Sequence, residues 1–356
     1  MGLGAVVTIG AKNQEWSLEQ LGSPQPAGEE AFLDTPLECV EVVGRSALER
    51  LIERFVSIDV QRISVLVEAS ISARLPLFRS SYSNVTIHVV KDLDSAIRGE
   101  VTAYAQEGIG HAFVISASAY AETDLLDLFC FHRESRQAVT RAFDREGPLD
   151  LWAVDCAKAE PGHLETLLNS AGQDSAPKYF IREYVNRITH PRDLRKLATD
   201  ILRRNCETGP SGKQVRPGVW LDDGADVHRR ARIVAPAYIG CASKVKADAL
   251  VTRFSDIERD CCIDSGTVIE DSSILTNTTI GICLDLCHAL ASGNKLWNLE
   301  RDVAVELVDP KVMRFTTARR KVVAHITESL EVPEHAVSPK PEMPGTWQFD
   351  SNLFQE

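Results

Sequence analysis

The residues able to do chemistry are unevenly spread along the chain. Cys283, Cys287 and His288 form the densest run of metal-ligating types, and thiolate and imidazole together suit zinc. No second ligand pair stands at a usual spacing, so the run reads as small residues of a packed core. The nine cysteines are odd in number and scattered, which suits reduced thiols in a cytoplasm. The opposite case is "FVISASAY", beginning at Phe113. It reads as a short buried strand, Phe113 to Ile115, followed by Ser116, Ala117, Ser118 and Ala119. The carboxyl end of such a strand is where open α/β sheets place ligands and catalytic groups. Here it carries only small side chains.

The elements that would position this strand end alternate. "AVVTI" (5–9), "RISVLVEA" (62–69), "VTIHVV" (85–90), "AVTRAF" (138–143) and "LDLWAV" (149–154) read as strands, and "ECVEVV" (38–43) as a short extended piece. "SALERLIERFVS" places Leu48, Leu51, Ile52 and Phe55 at amphipathic helical spacing. Further helices are expected over about 93–106 and from about Glu122 through His132. Strands alternating with helices imply a largely parallel sheet covered on both faces.

From Leu221 the period changes to six. Leu221, Val227, Ile233, Ile239, Val245, Val251, Ile257, Ile263, Ile269 and Leu275 recur at that spacing, and Ile280 and Leu286 continue one residue early. Four residues after each of the first nine sits a small residue, from Ala225 through Ser243, Cys261 and Thr267 to Ser273. Neither a helix nor an alternating strand has this period, but a parallel β-helix of hexapeptide repeats does. The aliphatic side chain points into a narrow prism and the small residue fits the corner. Stacked coils then bury a core that no single repeat could bury alone.

At 356 residues, with 44% hydrophobic and 25% charged residues, the chain is an ordinary soluble composition with room for two domains. No apolar run approaches the roughly 20 residues needed to span a bilayer. The start has no basic region before an apolar one, and Val6 stands where a myristoylation signal needs Ser or Thr. The net charge of −12 argues against broad nucleic-acid binding and against anionic membranes. A cytoplasmic protein is expected.

Three stretches, followed by the hexapeptides, carry a family likeness: "PLECVEVVGRSALERLIERF" from Pro36, "TDLLDLFCFHRESRQAVTRAF" from Thr123 and "HPRDLRKLATDIL" from His190. In order and spacing the chain resembles sugar-phosphate nucleotidyltransferases, the nucleotide-sugar pyrophosphorylases such as mannose-1-phosphate guanylyltransferases. The resemblance implies a Rossmann-like, three-layer α/β domain over 1–180 and a connecting helix and linker over 181–217. A left-handed parallel β-helix over 218–292, a flanking extended segment over 293–330 and a poorly ordered Pro-rich tail over 331–356 complete the expectation. The family joins a nucleoside triphosphate to a sugar 1-phosphate and releases pyrophosphate. That chemistry needs a Gly-rich loop near phosphates, cationic side chains, and carboxylates that hold Mg²⁺.

The matching positions depart from that pattern. Where the family reads approximately "AGGxGTRL", this chain reads "IGAKNQEW" from Ile9. Gly10 is kept, Ala11 and Asn13 replace glycines, and Glu15 stands in place of the arginine. A unit-charge pair at 4 Å is worth about 4 kcal/mol at an effective dielectric near 20, so reversing that charge is costly. The lysine of the family's Pro-Lys segment corresponds to Leu37. The metal-holding acids correspond to Ser118 and Arg187, and a cation cannot hold Mg²⁺. Gly10, Lys12, Gly44 and Arg45 are left as remnants of a nucleotide pocket.

The expectation is therefore a degenerate, catalytically inactive relative without catalytic residues, metal or cofactor. It would be a nucleotide-sugar sensor, or a regulatory or assembly subunit in nucleotide-sugar or polysaccharide biosynthesis. The alpha subunit of eukaryotic GDP-mannose pyrophosphorylase is a family precedent. A nucleotide or nucleotide sugar and a homo- or hetero-oligomer are the implied partners. Two alternatives stand beside it. One is a working Mg²⁺-dependent nucleotidyltransferase with Lys12, Asp124, Asp127 and Asp155 as relocated ligands. The other is a hexapeptide acyltransferase with His228 or His288 as general base.

Overall fold

Apolar runs bounded by turn residues build a seven-stranded sheet in the first half. The computed structural model describes residues 2–10, 32–75, 82–159 and 178–316, all within the compact unit Met1–Ala318. Lys12, Glu15 and the Pro-rich tail lie outside the described residues. The chain runs β1 (Gly2–Ile9), β2 (Glu41–Val42), β3 (Arg45–Ser46), α1 (Ala47–Ser57), β4 (Arg62–Glu68) and β5 (Val85–Val90). It continues through α2 (Leu93–Gln106), β6 (Ile109–Ser116), β7 (Ala119–Ala121), α3 (Leu125–Ser135), β8 (Val139–Phe143) and β9 (Pro148–Asp155). Last come β10 (Tyr179–Phe180), β11 (Val185–Arg187) and α4 (Pro191–Arg203).

The sheet order is β10-β8-β9-β6-β1-β4-β5. β6, β1, β4 and β5 are parallel, while β9 runs antiparallel to both of its neighbours. Successive residues of β1 alternate between two cores, as strand geometry requires. Ala5 and Val7 meet Leu48, Ile52 and Phe55 of α1 and Leu128 of α3, whereas Val6 meets Val101 and Tyr104 of α2. The sheet is thus covered on both faces. From β1 the chain moves outward to β4 and β5, then returns to β6 on the other side of β1. The order reverses between β1 and β6, the usual ligand crevice of such sheets.

Two local expectations are corrected. Residues 38–43 are not one extended piece: Leu37–Cys39 form a 3₁₀ turn and β2 pairs with β3 in a hairpin. Its two-residue loop, Val43-Gly44, has φ of 54° and 89°, as a hairpin loop with the right-handed strand twist demands. Helix α3 starts at Leu125 rather than near Glu122, because the Asp124 carboxylate caps the N–H groups of Leu126 and Asp127 at 2.9 and 3.0 Å.

Beyond residue 218 short parallel strands fall into three sheets, visited in rotation. Leu221 pairs with Ile239, Val227 with Val245 and Ile233 with Val251, each eighteen residues apart. The arrangement is compatible with a β-helix, and Ile239, Val245, Val251, Ile257, Ile263 and Ile269 share one buried core. Buried hydroxyls tie successive strands of this series together. Ser243 Oγ donates to the Glu258 carbonyl at 2.5 Å and accepts from the Cys261 N–H at 2.9 Å. Thr267 repeats the device with Gly281 and Leu284.

Leu275 does not take the inward position expected of it. Ile274 does, pairing with Ile257 seventeen residues earlier, while Leu275 turns outward to pack in the cluster of α4 and Trp297. One residue has been dropped between Ile269 and Ile274. Ser272 accordingly replaces Ser273 at the corner, accepting from the Ala289 N–H at 3.0 Å.

Candidate functional site

At the reversal of strand order the carboxyl ends of β1 and β6 stand side by side. Thr8 pairs with Ser116, and the Ala117 N–H donates to the Thr8 carbonyl at 3.1 Å. Beyond this rung lie Gly10 and Ser118. A Cβ on Gly10 would come within 3.1 Å of Leu93 Cδ1 and 3.6 Å of Glu68 Oε2, so the small residue admits close packing by neighbouring side chains. Ser116 Oγ donates to Ser118 Oγ at 3.1 Å. The strand end is a pair of neutral hydroxyls.

Strand β11 brings Arg187 to this place. It runs antiparallel to β7, setting Arg187 opposite Ala119, and the Ile188 N–H donates to the Ser118 carbonyl at 2.7 Å. The two positions matched to metal-holding acids are therefore neighbours. Arg187 is clamped by Asp144, donating from Nε at 3.1 Å and from Nη2 at 2.7 Å, with the Pro148 and Gly147 carbonyls as further acceptors. The hydrogen bonds to Asp144 raise the Arg187 pKa. For Asp144 burial pushes upward, but Arg187 and the N–H groups of Glu146 and Gly147 outweigh it and lower the carboxyl. Hydroxyls and a paired guanidinium do not fit Mg²⁺, a hard cation held through carboxylates.

The charge-rich construction lies elsewhere, where β2, β3 and α4 pack on the first of the three sheets. Pairing stacks Trp220, Tyr238, Asp256, Ser273 and Leu290 in one outward row, all of them buried. Helix α4 starts with Pro191 and a capping box of His190 and Asp193, and presents Leu194, Leu197, Ala198 and Ile201 as its buried face. From it Arg195, 6% exposed, donates to Asp256 Oδ1 at 3.0 Å and to Asp271 Oδ1 at 2.6 Å. Ser273 Oγ donates to the same Asp256 oxygen at 2.6 Å, and Asp271 Oδ2 lies 2.6 Å from His288 Nδ1.

Glu258, fully buried, completes the set. Its carboxyl accepts from the Val43 and Gly44 N–H groups at 2.6 and 2.9 Å, occupying the concavity of the hairpin loop. Burial, reinforced by the negative charge of Asp256, raises the Glu258 pKa strongly. Burial also raises that of Asp256, opposed by Arg195.

The remaining expected residues are dispersed. Gly44 belongs to this junction: a Cβ there would fall 2.3 Å from Tyr238 Oη and 2.6 Å from Ser211 Cβ. Arg45 is half-exposed and pairs with Glu53 at 2.7 Å. Leu37 is buried in the cluster of α4 and Trp297, which accounts for an apolar residue at that position. Asp124 is spent as the α3 cap, and Asp127 accepts from Tyr179 Oη at 2.9 Å. Asp155 pairs with His111, at the end of β6 opposite to Ser116. It therefore cannot join a site at the strand end. His228 is exposed and its Nδ1 accepts from the Arg230 N–H.

Cys283 is exposed, and no group of three or more metal-ligating side chains is assembled among the described residues. No helix among them is long and apolar enough to cross a membrane. The buried acids were missed in the sequence because outward residues of hexapeptide coils ordinarily meet water. The signal was Trp220 and Tyr238, two large rings in the outward row that must be covered. No protein-family model matches the chain, and comparison with curated proteins gives no match.

Proposed function

We propose that the chain is a nucleotidyltransferase-type protein, with a Rossmann-like α/β domain over 1–180 and a left-handed β-helix over 218–292, that binds a nucleotide or nucleotide sugar without turning it over. It acts as a sensor, or as the regulatory or assembly subunit of an active relative. One observation carries the reading: at the crevice where the strand order reverses, the two positions matched to metal-holding acids are Ser118 and an Arg187 already claimed by Asp144. A serine hydroxyl and an ion-paired guanidinium at these two positions do not supply the carboxylates that hold Mg²⁺ in such chemistry. The test is a thermal-shift series of nucleotides and nucleotide sugars, with and without Mg²⁺, beside an assay for pyrophosphate release. Metal-independent stabilisation without pyrophosphate is expected, since a ligand of the native state raises its midpoint. Mg²⁺-dependent pyrophosphate release, or no response to any ligand, overturns the reading.

The Asp271–His288 pair favours a second reading, acyl transfer with His288 as general base, because an Asp bound to Nδ1 orients the imidazole. Calorimetric titration with acyl-CoA decides it: absence of binding removes this reading.

A further inference from the structure

The seven-stranded sheet ends on β5, whose sequence "VTIHVV" has neither proline nor lysine to blunt an edge. The Ile63 N–H donates to the Asn84 carbonyl at 2.8 Å. In a parallel ladder alternate residues bond the neighbour, so the backbone groups of Ile87 and Val89 and the Val85 carbonyl face away from the sheet. Among the described residues no strand takes them. Ile87 is 41% exposed and Tyr82, just before the strand, is 37% exposed.

We propose that this edge is a homodimer interface, in which β5 pairs antiparallel with β5 of a second copy about a two-fold axis at Ile87. The argument is self-complementarity. A two-fold contact must match a surface to itself, and Val85-Thr86-Ile87-His88-Val89 has the same polarity pattern read in either direction. Only outward-facing residues can bond across the axis, which sets Ile87 against Ile87 of the partner subunit and Val85 against Val89. All three are β-branched and share one face, the cross-strand combination that sheets favour. Thr86 then lies opposite His88, and Lys91 opposite Ser83, so no like charges meet. About four to six hydrogen bonds at one per 100–200 Å² correspond to an interface near the lower end of specific contacts. A reversible, concentration-dependent dimer follows. This inference is independent of any ligand.

The experiment is sedimentation velocity of the full chain over a wide concentration range. A monomer–dimer equilibrium is expected, with Ile87→Lys weakening it at least about tenfold by placing two ammonium groups on the axis. Because Ile87 is well exposed, the thermal midpoint of that variant should match the parent, which separates lost association from lost folding. Bonded antiparallel pairs have Cα atoms about 5.5 Å apart, within disulfide reach. Mild oxidation of Ile87→Cys should therefore give a dimer linked through position 87, identified by peptide mass because the parent has exposed cysteines. Thr86→Cys should not link to itself. A parent that stays monomeric throughout overturns the proposal, as would an edge covered by its own chain. A dimer that survives Ile87→Lys and gives no linkage at position 87 overturns it equally.

Discussion

The end of β6 and the Glu258 junction are both places where the backbone offers polar groups to a partner, and they are furnished in opposite ways. At the strand end two serine hydroxyls meet each other, and the nearby arginine is neutralised by Asp144. At the junction two acids, an arginine and a hairpin loop are sealed from water and satisfied by one another. Buried charge is costly unless every partner is in place, so such a cluster marks where geometry is held most strictly. In this molecule that place joins the α/β half to the short parallel strands. The demanding electrostatics serve the joining of two halves, while among the described residues the end of β6 carries only paired hydroxyls and a paired arginine.

The sharpest way to break this comparison is Arg195→Met. It strands Asp256 and Asp271 without their cation, and a loss of about 3–5 kcal/mol is expected in urea unfolding. A loss no greater than that of Arg187→Ala would place both sites on the same footing.

Next is Glu258→Gln, which tests protonation. A carboxyl whose folded pKa is raised binds more protons in the native state than in the unfolded one. Its contribution is complete below the ordinary glutamate value of about 4.3 and is lost as pH rises through the folded value. Parent stability should therefore decline as pH rises from the ordinary glutamate value to the folded one, and the glutamine variant should decline less. Unfolding series at several pH values read the two slopes. Parallel slopes would show that Glu258 does not titrate differently on folding.

Arg187→Ala should cost about 1–2 kcal/mol, since it removes a forked, partly screened pair on a partly buried carboxylate. The smallest effect is expected of Ser118→Asp. Its stability should stay within about 0.5 kcal/mol of the parent, and no pyrophosphate release should appear, because one carboxylate beside Arg187 makes an ion pair rather than a metal site. Pyrophosphate release by that single variant would mean the crevice lacks only one group.

Much of the architecture was legible in the amino acids because periodicity reports burial directly. Leu48, Ile52 and Phe55 gave α1, and the six-residue recurrence from Leu221 gave the inward row of the short parallel strands. What failed were single-residue decisions. Ile274 and Leu275 are both aliphatic, so hydropathy alone could not say which turns inward after one residue is lost. The hairpin loop was hidden because Val43 is β-branched and rarely adopts positive φ. The Glu258 carboxyl, supplied from more than two hundred residues away, accepts both N–H groups of that loop. Asp256 and Glu258 flank Ile257 as ordinary outward acids, and nothing local marks them as covered.

The single outward row of Trp220, Tyr238, Asp256, Ser273 and Leu290 has a bearing on how this chain can change over evolutionary time. Coil arrays usually grow or shrink by whole repeats, since each coil touches only its neighbours. Here one extra strand inserted between those of Tyr238 and Asp256 would part them by a further strand spacing of about 4.8 Å. Tyr238 would still meet Gly44, but Glu258 would no longer reach the loop, nor Arg195 its acid. Lengthening is tolerated beyond the last docked strand, so the junction acts as a ruler for the row it holds.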